Sequence, residues 1–169
     1  WLNHAVLPDA ERRAEFTDEE HTVYAKINDQ QAVILLSDFQ INRMADFAGD
    51  TRMQDIISQY NIRHQVYLTS PLLEISPSEV PAKADLMFLV SSSDYDVWLK
   101  DAFIPDTKRR SGFCDEDKTI VTKLSDNEAL VILYDFELPR VAEFAENPFM
   151  VELVEKLNIN HEVYTLTAM

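Results

Sequence analysis

Apolar and polar residues alternate with period two over residues 22–27, with Val23, Ala25 and Ile27 on one side, and over 119–124, with Ile120, Thr122 and Leu124. That alternation predicts strands with one buried face. Polar turns, Asn28-Asp29-Gln30-Gln31 and Ser125-Asp126-Asn127-Glu128, lead into unbroken apolar runs at 32–36 and 129–133. These runs are too short for ordinary helices and rich in β-branched side chains, so each is predicted to be a central strand buried on both faces and hairpinned to the strand before it. Apolar residues then recur at helical spacing: Ile41, Met44, Ala45 and Ala48, followed one residue out of phase by Met53, Ile56, Ile57 and Tyr60. Leu138, Val141, Ala142 and Ala145, then Met150, Leu153, Val154 and Leu157, do the same. The slip falls at Gly49-Asp50-Thr51 and at Glu146-Asn147-Pro148, where Asn is a good N-cap and Pro suits the first helical position, so a helix broken in two is expected. Asn61 and Asn158 suit the left-handed residue that ends a helix, and alternation returns over 62–68 and 159–165 as a last strand.

Every element is thus met twice, because sliding the chain by 97 positions superimposes its two ends without a gap. Trp1-Leu2 falls on Trp98-Leu99, Pro8-Asp9 on Pro105-Asp106, Asp38-Phe39 on Asp135-Phe136 and His64 on His161; 27 of the 72 superimposed positions are identical. The second copy is preceded by residues 85–97, where Leu86–Val90 reads as a buried strand and Ser91, Ser92, Ser93 or Asp94 caps an amphipathic helix through about Phe103. The expected architecture is α+β, a tandem duplication of a ββα(broken)β unit. Its complete second copy reads βαββαβ, the element order of ferredoxin-like folds. The expected modules are residues 1–72 and 85–169, joined by a linker at 73–84 that contains Pro77 and Pro81, and packed as an internal pseudo-dimer. The first copy opens in the middle of its first helix, so the chain reads as a piece whose first strand is missing, or as a first copy that never had one.

Composition narrows the chemistry. Gly49 and Gly112 are the only glycines, which leaves no glycine-rich phosphate loop, dinucleotide fingerprint or GxSxG elbow. A single cysteine, Cys114, allows no internal disulfide or thiolate-rich metal site and fits a reducing compartment, so the cytoplasm is the expected location. No apolar run is long enough to span a bilayer. Net charge is −15, spread as −5, −4 and −6 over residues 1–72, 73–97 and 98–169. Such a field repels phosphate backbones and anionic lipid, so neither direct nucleic-acid binding nor membrane attachment is expected.

Residues repeated in both copies are the candidate sites. His64 and His161 fall on the inward face of the last strand, and either could act as a general base oriented by Asp38 or Asp135. No serine, threonine or cysteine recurs beside them as a nucleophile; a histidine bonded to the backbone is the competing structural role. Asp38 and Asp135 stand just before the first helical segment and read as its caps, with Arg43 and Arg140 within salt-bridge reach. Arg43, Arg140 and the pairs Arg12-Arg13 and Arg109-Arg110 could grip a phosphate or carboxylate, although acidic neighbours make an internally paired or solvated loop the structural alternative. Trp1, Trp98, Phe16 and Phe113 read as packing aromatics, and one shared histidine per copy leaves no metal-ligand spacing. No cofactor is expected. Subtraction and charge together lead to a non-enzymatic acidic module that binds a basic protein, as an inhibitor, immunity-type or assembly protein or by mimicry of a nucleic-acid backbone. The alternatives are a small enzyme or small-molecule binder using a cleft between the modules, and a component of a larger repeat assembly.

Overall fold

The computed structural model describes residues 2–72 and 81–169, with no account of the Leu2 side chain; Trp1 and most of the expected linker, residues 73–80, lie outside the described residues. The chain is a mixed α+β protein that divides into two compact units, Trp1–Gln65 and Val66–Met169. The division puts the strand at Tyr67–Pro71, which the sequence repeat places in the first copy, with the second unit.

In the first unit, a helical stretch from Leu2 ends in α1 (Ala10–Arg13). A hairpin of β1 (Asp18–Lys26) and β2 (Ala32–Ser37) follows, pairing Val23 with Leu35 and Lys26 with Ala32. Then come a 3-10 turn at Ile41–Arg43, α2 (Met44–Gly49) and α3 (Thr51–Tyr60). The second unit holds β3 (Tyr67–Pro71), β4 (Ala84–Ser91), α4 (Tyr95–Trp98) and a π-helical turn at Leu99–Phe103. It continues with α5 (Thr107–Arg110), β5 (Asp115–Lys123), β6 (Glu128–Phe136), a 3-10 turn at Leu138–Arg140, α6 (Val141–Ala145), α7 (Pro148–Leu157) and β7 (Asn160–Ala168). Strands β3 to β7 form one antiparallel sheet in the order β3-β7-β4-β6-β5, while β1 and β2 form a two-stranded sheet.

The helix break lies at the position the phase slip indicates. Asp50 accepts the Met53 N–H at 3.2 Å, and Asn147 accepts the Phe149 N–H at 3.0 Å, so each second segment starts on a side-chain cap that satisfies an otherwise orphaned donor. Asn61 and Asn158 close these helices in the left-handed conformation, both at φ 50°. Asp94 caps α4 by accepting the Val97 N–H at 2.9 Å, but the regular α-helix ends at Trp98, and a π turn carries the chain on to Phe103.

The main core lies on one face of the larger sheet. Leu86 and Val90 of β4, with Ala129, Val131 and Leu133 of β6, pack against Trp98, Ala102, Leu138, Leu153 and Leu157. Each side chain so buried contributes roughly 1.5–3 kcal/mol. Leu130 and Ile132, at 0% and 6% exposure on the opposite face, make β6 the doubly buried central strand its apolar run predicts.

Two expected strands turn out otherwise. The apolar run of β2 is half-buried throughout and belongs to a two-stranded sheet, because among the described residues only β1 pairs with it. Residues 62–66 form no strand; β3 begins at Tyr67, where pairing with β7 begins opposite Ala168. Its counterpart β7 is regular from Asn160 because β4 lies beside it from Ser91↔Asn160 to Asp85↔Leu166 and satisfies its backbone groups.

Candidate functional site

The densest polar constellation occurs once in each unit and is built on the paired arginines. In the first unit, Asp9 ends the turn before α1 and is 2% exposed. Arg12 grips it with Nε at 3.0 Å and Nη2 at 2.7 Å from Oδ2, donates Nη1 to the Phe47 carbonyl at 3.4 Å and lies over the Phe47 ring at 4.7 Å. Arg13 donates to both Glu19 oxygens at 3.1 and 2.7 Å, to the Tyr24 hydroxyl at 2.6 Å and to the Val6 carbonyl. The second unit repeats the pattern. Arg109 holds Asp106 at 2.6 and 2.8 Å, donates to the Phe144 carbonyl at 3.0 Å and stacks at 4.2 Å on that ring. Arg110 holds Glu116 at 3.1 and 2.6 Å, donates to the Phe103 carbonyl and lies 3.7 Å above the Phe103 ring. Each network joins the first helical region to the opening of the hairpin and to the carbonyl end of the broken helix.

These arginines are engaged by their own chain rather than presented to a ligand. Arg12, Arg13 and Arg110 are buried. Arg43 and Arg140 are partly open, yet each is held by several groups of its own chain. Arg140 bonds Glu137 at 2.9 Å, Glu143 at 2.9 and 2.8 Å and the Gly112 carbonyl at 2.8 Å, over the Phe113 ring at 4.2 Å. Arg43 donates to the Glu15 carbonyl at 2.7 Å and to Gln40 at 3.4 Å, over Phe16 at 4.2 Å. Carboxylates from Glu143 and Glu137 push the Arg140 pKa above its usual value, which fixes it as a structural cation. Neither arginine pairs with the aspartate that opens its segment.

Those aspartates are not helix caps. Asp38 and Asp135 adopt left-handed backbone at φ 50° and 54°, turning the chain out of β2 and β6. A short polar side chain tolerates that conformation at low cost, and capping and left-handed turns draw on the same residue types. The 3-10 turns that follow start at Gln40 and Glu137 without side-chain caps.

The histidines do not meet their proposed partners. His64 lies in the irregular segment before β3 and is exposed; among the described residues it has no hydrogen bond to Asp38. His161 does share the inward face of β7 with Val163 and Thr165, opposite Val90, but it sits at the open end of the sheet. Its ring keeps a solvent edge while packing edge-on against Phe88 at 6.3 Å, and burial lowers its pKa. Asp135 stands at the other end of β4, where its N–H bonds Asp85 Oδ1 at 3.0 Å. Five residues of strand, roughly 16 Å, separate Asp85 from Val90 and therefore Asp135 from His161. The inward-facing histidine expected from the alternation is thus corrected at His64, which lies on no strand, and kept at His161, which faces inward at the end of β7.

An open pocket of about 450 Å³ lies at the Asp135 end, lined by Pro81, Lys83, Ala84, Asp85, Asp135 and residues 165–168. The Cys114 thiol is half-buried and, through burial and the Glu116 charge, is pushed up to about 11. Tyr24, half-buried and hydrogen-bonded to Glu19, is pushed up to about 12. Among the described residues no group of three His, Cys, Asp or Glu is placed to hold a metal ion, and no helix is long and apolar enough to cross a membrane. No protein-family model, curated protein or solved structure matches the chain.

The buried carboxylates Asp9 and Asp106 are not distinguished by composition from the other acids beside the arginines. Their signal was present: Pro-Asp-x-x-Arg-Arg-x-x-Phe-x-Asp-Glu stands at 8–19 and at 105–116, with acids spaced to reach both guanidiniums.

Proposed function

We propose that this chain is a non-enzymatic acidic protein-binding module, made of two copies of one ferredoxin-like α+β unit, that engages a basic protein partner. The observation that carries the reading is the distribution of charge. The arginines repeated in both copies are enclosed by the chain's own carboxylates and carbonyls, whereas Glu11, Glu20, Asp55, Asp117, Glu152 and Glu155 are exposed with no ion pair among the described residues. Among the described residues, exposed carboxylates without an ion pair outnumber exposed cations without one, such as Lys100, Lys108 and Lys156, and a surface with that excess attracts a basic partner over distances on the scale of the Debye length, about 8 Å at physiological ionic strength. Mimicry of a nucleic-acid backbone is the specific form in which those carboxylates occupy a groove evolved for phosphates.

Three observations support the two-copy reading. The arginine networks recur at the 97-residue offset with the same partners. Within the second copy the sheet runs last, first, third, second strand, all antiparallel. Strand β3 meets β7 in a register that pairs Thr69 with Leu166, its own counterpart at that offset, as an isologous two-fold contact requires.

Capture from cell extract at about 50 mM and about 500 mM salt tests the functional reading. A basic partner that is held at low salt and released at high salt, and held less well by the Glu152→Gln/Glu155→Gln variant, is the expected result. A partner retained equally at both salts, or an uncharged one, overturns it.

A further inference from the structure

Two exposed helix faces of opposite charge stand at equivalent positions of the 97-residue offset. In the second unit, Val97, Lys100, Ile104 and Lys108 follow one another at spacings of three or four along the helical stretch from α4 through the π turn to α5, which puts them on one face. Val97 is 40% and Ile104 58% exposed, and among the described residues neither lysine has an ion pair. In the first unit, Leu7, Glu11 and Glu15 follow at spacings of four along α1 and its flanks. Leu7 is 45% exposed, and both glutamates are exposed with no ion pair among the described residues. Leu7 is the counterpart of Ile104, and Glu11 of Lys108. Asp101 also lies along the second unit's face, where the two lysines still outnumber it.

Ile104 stays open although β4 and α4 precede it in its own unit, so the exposure of Leu7 belongs to the repeated position. A single exposed aliphatic side chain carries no meaning alone. Here each one is flanked by charge of one sign, and the chain itself carries the face of opposite sign, the arrangement of an apolar contact inside a complementary polar rim. Charges farther apart than about 8 Å are screened at physiological ionic strength, so these residues, rather than the net charge of −15, decide whether the faces meet.

We propose that the Lys100, Ile104 and Lys108 face of one chain docks the Leu7, Glu11 and Glu15 face of a second copy, aliphatic on aliphatic and lysine against glutamate. The two surfaces differ, so the contact is heterologous and each chain can engage two neighbours, in a ring or an open row. A helix-on-helix contact lies at the small end of specific interfaces, which makes the association concentration-dependent. The inference rests on the two-copy reading for the equivalence of the two faces and not on a basic partner.

Sedimentation velocity of the full chain tests it. Between about 10 μM and about 1 mM protein, at about 150 mM salt, the weight-average mass is expected to rise at least about 1.5-fold. The Glu11→Lys/Glu15→Lys variant makes both faces basic, and the Lys100→Glu/Lys108→Glu variant makes both acidic. Each alone is to stay monomeric, while their equimolar mixture associates as the unmodified chain does, which also shows that neither has lost its fold. Ile104→Gln leaves the charges in place and is to weaken association at least about threefold, as loss of a buried aliphatic contact requires. A mass that does not change with concentration, association of either charge variant alone, or Ile104→Gln associating like the unmodified chain overturns the proposal. Loss of salt-dependent capture of a basic partner with this self-association intact would instead overturn only the charge-based function.

Discussion

At the level of single residues, environment separates side chains that the sequence presents as equals. His21 is exposed, bonds Asp18 at 2.7 Å and is raised by that contact, whereas the His161 ring packs edge-on against Phe88 and is lowered by burial. Proton NMR titration is expected to place the His161 midpoint below 6.5 and that of His21 above it; coincident midpoints would contradict the packing of His161 on Phe88. Because the folded-state value of His161 is depressed, its contribution to stability is present above its unfolded value of about 6.5 and is lost as pH falls through the folded one. Replacing it with glutamine should flatten that part of the acid limb. The Cys114 thiol, pushed up to about 11, is protonated at neutral pH, so alkylation by iodoacetamide should be slow at pH 8 and accelerate only as pH approaches the folded value. A rate at pH 8 equal to that of a small free thiol would show the sulfur to be open. None of these distinctions is visible in sequence, since each depends on which neighbours desolvate a group.

At the level of elements, local chemistry was legible and reach was not. The broken helices, their caps at Asp50 and Asn147 and their left-handed ends at Asn61 and Asn158 follow from residues within a few positions of one another. Asp38 and Asp135 read as caps in sequence because the same residue type serves as cap and as left-handed turn, and the exit from β2 and β6 decides between them. The arginines were legible as paired but not as buried, because burial comes from Phe47 and Phe144, 35 positions away. Asp106 is 4% exposed and faces Arg109 at 2.6 Å and Arg110 at 3.8 Å. Asp106→Asn leaves Arg109 without its charge partner, while Arg110 keeps Glu116 at 2.6 Å, and should cost about 3–5 kcal/mol in urea unfolding. A loss below about 1 kcal/mol would mean that the network behaves as a solvated surface pair.

At the level of the whole molecule, the division into units predicts unequal autonomy. Val66–Met169 contains the five-stranded sheet and the main buried cluster, whereas Trp1–Gln65 has a two-stranded sheet, which is marginal alone. A fragment of residues 66–169 should fold with a cooperative thermal transition and a β-rich circular dichroism spectrum. A disordered spectrum would show that the larger sheet depends on the first unit. The amino-acid sequence by itself determined most of the secondary elements, the helix breaks and the acidity of the chain, because periodicity, caps and charge are local or additive properties. Only the tertiary structure decided that β3 pairs with β7, that β2 pairs with β1 alone among the described residues while β6 is paired on both sides, and that His161 and Asp135 stand at opposite ends of a strand. Strand partners are chosen by long-range backbone pairing, and two segments with the same sequence pattern are buried differently when only one of them has a neighbour.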